Sequence, residues 1–155
     1  MRAVVAVACT LIPLGAASTA EPVQQQVHQA SHEVMPFDVA KTVHVFRMTE
    51  RGGTQRVVIR DPAFAGEVTA IRRHLRDEAA RFQAGDFSDP AHLHGAAMPG
   101  LKELGAGASR LRVSYRELPD GAEISFDTGE LALLTAVHRW FGAQLSEHGA
   151  DAMAE

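Results

Sequence analysis

Twice along this chain, two strand-like runs joined by a tight turn lead into a long run of helical spacing, and that order restricts the fold more than any other feature. Residues 41–49 alternate around Val43, Val45 and, less cleanly, Phe46 and Met48, and Arg51-Gly52-Gly53 supplies a turn before a second run at 55–60. Asp61-Pro62 breaks the strand, and residues 67–84 then carry Val68, Ile71, Leu75, Ala79 and Phe82 at helical spacing before Gly85. In the second half, residues 110–117 alternate through Leu111, Val113 and Tyr115, Pro119-Asp120-Gly121 turns, and residues 122–127 return. Residues 130–148 then repeat the helical spacing with Leu131, Leu134, Val137, Phe141 and Leu145, and Gly149 stops it. Period-two runs bounded by Gly and Pro read as hairpins, and period-3.6 runs ending in Gly read as amphipathic helices.

These two ββα units predict an α+β fold: a four-stranded antiparallel sheet with two helices packed on one face. The helical stretches align Thr69-Ala70-Ile71-Arg72-Arg73-His74-Leu75 with Thr135-Ala136-Val137-His138-Arg139-Trp140-Phe141, as a duplicated unit would and as any two amphipathic helices can by chance. Residues 86–109 form a long central loop with one short helical turn expected after Pro99, and a connection of that length in a compact domain tends to be functional. Residues 21–33 lack a sustained apolar period and read as a mobile N-terminal arm, with the folded domain at 34–155.

Residues 1–20 have the form of a secretory signal peptide: Arg2, an apolar run over 3–17, and Ser18-Thr19-Ala20 ahead of Glu21-Pro22. The run falls short of the roughly 20 apolar residues that span a bilayer, so a periplasmic or secreted protein without stable membrane insertion is expected. Cleavage removes Cys9, the single cysteine, and Arg2, leaving 14 Lys and Arg against 19 Asp and Glu and moving the net charge from −4 to −5. Disulfides and thiolate ligands are then excluded, and mild acidity makes no electrostatic case for nucleic acid.

All eight histidines survive that cleavage, as do Met35, Met48 and Met98. Imidazole and thioether together favour copper, imidazole with carboxylate suits zinc, and either nitrogen or sulfur can serve as an axial ligand of haem. The sharpest local signal is His92-Leu93-His94-Gly95 followed by Met98, where a kink at Gly95 lets both rings approach one ion; the same spacing also occurs in ordinary loops with one buried histidine. His74 and Glu78 are four residues apart beside the apolar stripe of the first helix, placed for acid–base work or as an ordinary i,i+4 pair. On the second helix His138 flanks the apolar face without a simple structural explanation, whereas His148 in the last turn is explained by the helix dipole. His44 shares a strand surface with Phe46 and Met48, and His32 lies in a segment from 32 to 37 expected to dock through Met35 and Phe37. No Gly-x-Ser-x-Gly elbow or phosphate loop is present, so serine hydrolase and nucleotide chemistry are unsupported.

The strings Ser31-His32-Glu33-Val34-Met35-Pro36-Phe37-Asp38, Asp86-Phe87-Ser88-Asp89-Pro90, Leu93-His94-Gly95, Met98-Pro99-Gly100-Leu101 and His138-Arg139-Trp140-Phe141-Gly142-Ala143-Gln144-Leu145 resemble a family of small exported bacterial proteins without an established activity. Some members are described as aspartate carbamoyltransferases. That activity needs two α/β domains and a Ser-Thr-Arg-Thr type phosphate loop, both absent here, so the resemblance implies a location and no mechanism.

Three functional expectations follow. The first is a metal-binding protein, copper before zinc or haem, for storage, delivery or sensing, drawing on His92, His94, Met98, His74 and His32, with His94 and His138 as the cofactor-binding pair. The second is a small enzyme using His74, Glu78 or His138 in a pocket beside the central loop. The third is a structural or partner-binding domain whose histidines are incidental. An open sheet face allows a homodimer in any of them.

Overall fold

A computed structural model describes residues 22–155; the signal-peptide expectation at 1–20 therefore lies outside the described residues. Helix α1 (Val23–Val34) leads to a hairpin of β1 (Thr42–Thr49) and β2 (Gly52–Ile59), then to α2 (Val68–Gln83). Two short helices, α3 (Ser88–His94) and α4 (Leu101–Gly107), precede a second hairpin of β3 (Arg112–Leu118) and β4 (Gly121–Asp127). Helix α5 (Leu131–His148) and a short strand β5 (Ala152–Ala154) close the chain.

The fold is α+β, and both expected hairpins are present with antiparallel register, Phe46 opposite Gln55 and Tyr115 opposite Ile124. The four-stranded antiparallel sheet with two helices needs correction. The sheet has five strands in the order β3-β4-β2-β1-β5, and β5 runs parallel to β1, which makes it mixed. The described residues also contain five α-helices rather than two. The extra strand escapes a pattern reading because it is three residues long and borrows its hydrogen bonds from the free edge of β1.

The expected arm is also a helix. Val27 and Ser31, one turn apart on α1, are buried together against the rest of the protein. With a serine in the stripe, the apolar period is too weak to read. The short helical turn expected after Pro99 is present as α4, which buries Leu101 and Leu104, whereas α3, which buries Pro90 and Leu93, stands where loop is expected.

One sheet face carries the core. Alternation along each strand turns Phe46, Val57, Ala122, Ile124 and Phe126 to the side on which α2 places Ile71, Leu75 and Phe82 and α5 places Val137, Trp140 and Phe141. Phe82, Phe126 and Phe141 each lie within 6 Å of Trp140, mostly edge to face. The central strands approach so closely that a β-carbon on Gly121 would stand 1.9 Å from the carbonyl oxygen of Val57. No helix among the described residues is long and apolar enough to cross a membrane.

Candidate functional site

The two longest helices each fasten a hairpin turn, through residues at matching places in the aligned helical stretches. Arg72 on α2 donates to the carbonyls of Leu118 and Gly121 across the β3–β4 turn. His138 on α5 places Nε2 3.0 Å from the carbonyl of Thr49 and 2.9 Å from that of Gly52, across the β1–β2 turn. A ring nitrogen facing two carbonyls carries the proton and donates. His138 is therefore a hairpin clamp, and that nitrogen has no lone pair for a metal or haem.

The His92, His94 and Met98 set does not converge. Both histidines lie on α3, where two residues of helix turn side chains to nearly opposite sides. His92 is 63% exposed and faces Glu33 at 3.4 Å, whereas the His94 side chain is 1% exposed. Met98 packs in the hydrophobic core, and His32 meets His28 edge to face, 5.7 Å between ring centres.

His94 instead joins two histidines from distant parts of the chain. Its ring is 4.9 Å from that of His148 at the end of α5, and His148 stacks at 4.9 Å on His44 of β1. His94 Nδ1 lies 2.8 Å from a carboxylate oxygen of Glu147. The carboxylate accepts from Nδ1–H, which fixes the tautomer and leaves the lone pair on Nε2. That Nε2 is buried without a hydrogen-bond partner, and so is Nε2 of His148.

Burial governs the charge of these rings. It lowers the pKa of His44 to about 4, with His74 adding to the effect. His148 is driven well below 6.5 by burial, then by His44 and His94. The pKa of His94 is lowered by burial despite its carboxylate partner. The expectation of a protonated His148 held by the helix dipole is thus overturned, because the cost of desolvating the charge exceeds what a helix end returns.

The same region holds a partly open cavity of about 40 Å³ between the sheet, the end of α1, α2, α3 and α5. His74 and Glu78, predicted as a pair, both line it, together with His44 and His94. Burial pushes the Glu78 carboxyl up to about 8, with Asp89 adding to it, so it carries a proton at neutral pH. Burial likewise lowers His74, against the pull of Asp89 and Asp77. As placed, no three or more His, Cys, Asp or Glu side chains among the described residues stand where they can hold one metal ion together.

Fold and site define an α+β domain with a core cluster of neutral histidines beside a small cavity that a few polar side chains enter. Comparison with family models, with curated proteins and with solved structures finds no match.

Proposed function

We propose that the protein is an exported binding protein for a transition-metal ion, copper first, taken in the cuprous state between Nε2 of His94 and Nε2 of His148. The observation that carries this reading is the pair of buried, unpartnered ring nitrogens on adjacent imidazoles, one of them oriented by Glu147. Neutral imidazole is the form that binds a metal, and a carboxylate on the far nitrogen is the usual support of a ligating histidine. A two-imidazole site suits cuprous ion, which accepts two ligands, better than zinc, which wants four. Export is part of the proposal and rests on the pattern of residues 1–20.

Competition between the purified protein and a colorimetric cuprous chelator tests it. One equivalent is expected to bind, with loss of binding in His94→Ala and His148→Ala and none in His92→Ala or Met98→Leu. Glu147→Gln should weaken binding by about 10–100-fold, the usual effect of losing the group that orients a ligand. Failure to withdraw any cuprous ion from the chelator, with the fold intact by circular dichroism, removes the proposal.

A second reading is favoured by Glu78 alone. A protonated carboxyl and a neutral imidazole on one cavity form a donor and an acceptor suited to acid–base chemistry. Carbon-13 titration of Glu78 should place its midpoint near 8; a midpoint in the ordinary carboxylate range would remove this reading.

A further inference from the structure

Besides the Tyr115 hydroxyl, which lies away from the cavity, three buried polar atoms among the described residues that the metal site does not use have no hydrogen-bond partner: Nε1 of Trp140, Nε2 of Gln144 and Oε1 of Gln55. All three side chains line the cavity. Trp140 and Gln144 are one turn apart on the inward face of α5, and Gln55 projects from β2 on the covered face of the sheet. Leaving a buried polar group unsatisfied forfeits the hydrogen bonds it made to water, and native proteins tolerate few such groups. Three around one cavity call for an occupant.

The chemistry of the atoms describes that occupant. The indole and amide nitrogens both donate, and the amide oxygen accepts. Asp89 and Glu78 both line the cavity, and the Arg81 guanidinium beside them is already engaged, 2.7 Å from an Asp89 carboxylate oxygen and 3.4 Å from Glu78. An anion would have to shed its water beside two acidic groups whose neighbouring cation is committed to them. A volume of about 40 Å³ holds roughly three waters, or a molecule of three to four heavy atoms.

We infer that the cavity is a binding site for a small uncharged carboxamide, whose carbonyl accepts from Trp140 and Gln144 and whose N–H donates to Gln55. The site involves neither Nε2 of His94 nor Nε2 of His148, so it stands independently of the metal proposal and is tested in metal-free protein.

Trp140 is the sole tryptophan of the chain, so its indole N–H gives one nitrogen-15 resonance that reports on the cavity directly. Acetamide titrated into the full protein with excess chelator is expected to move that resonance saturably. Gln144→Leu and Gln55→Leu should weaken the effect by about tenfold each, the value of one hydrogen bond of about 1.4 kcal/mol. Gln144→Glu, of the same shape, provides the alternative if the leucine variant loses its backbone amide spectrum. Acetate at neutral pH should leave the resonance unmoved. A linear, unsaturable response to acetamide, equal binding of acetate, or unchanged affinity in the glutamine variants would each overturn the inference and leave water as the occupant.

Discussion

His138 and His148 exchange the roles that their positions on α5 suggested. The last-turn histidine was the one with a ready explanation, and it is the one buried against His44 and His94. The mid-helix histidine, which lacked one, clamps a turn eighty-six residues before it in the chain at Gly52. Neither outcome can be read from helical periodicity, which tells which face a residue occupies and not which polar group waits opposite. His138→Ala is expected to lower stability by about 1–2 kcal/mol in urea unfolding, the effect of stranding two carbonyls at a turn, while copper uptake stays at the wild-type level. Loss of uptake in a folded His138→Ala protein would return that residue to the site.

At the scale of elements, Arg72 and His138 occupy matching positions in the two helical stretches and fasten opposite ends of the sheet. The register places Gly121 across from Val58 and Asp127 across from Gly52, so the two turns are separated by the length of β4. Arg72→Ala should therefore cost about 1–3 kcal/mol, and the double variant with His138→Ala should be additive to within about 0.5 kcal/mol. Strand β5 is held by the Glu155 amide on the Phe46 carbonyl at 3.0 Å and by the Arg56–Glu155 ion pair. Removing residues 152–155 uncovers the edge of β1 and should produce concentration-dependent association, read by light scattering. A truncated chain that remains monomeric at high concentration would show that the edge is protected by other means. The hairpins and the two long helices were legible because their apolar periods run for two or more turns or pleats. Helices α1 and α3 were not, because each buries only two side chains.

The whole molecule carries its histidines in a form that sets its response to acid. Well above pH 6.5 the imidazoles of His44, His74, His94 and His148 are neutral in folded and unfolded chains alike and add no pH dependence. Below that, the unfolded chain takes up protons that the folded core refuses, so stability falls as pH drops toward 4. For His44, the difference between 6.5 and about 4 corresponds to about 3 kcal/mol. His74, His94 and His148 shift in the same direction. Glu78 opposes them: with its pKa raised from 4.5 to about 8, it withdraws stability as pH rises through that interval. Four imidazoles against one carboxyl predict a lower urea midpoint at pH 5 than at pH 7; an equal or higher midpoint at pH 5 would mean that the imidazoles charge without unfolding.

Residue pattern alone determined the two hairpins, the two long helices that cover them, and the face on which His74 and Glu78 would meet a cavity. Those features depend on neighbours within a few residues, and periodicity records such neighbours faithfully. The meeting of His44, His94 and His148 was decided only by the tertiary structure, because β1, α3 and the end of α5 come together through packing across the whole chain. A histidine in water and a histidine in a core have the same letter. Only burial between the sheet and the helices made these rings neutral, oriented one of them on Glu147, and left Nε2 of His94 and of His148 without a hydrogen-bond partner.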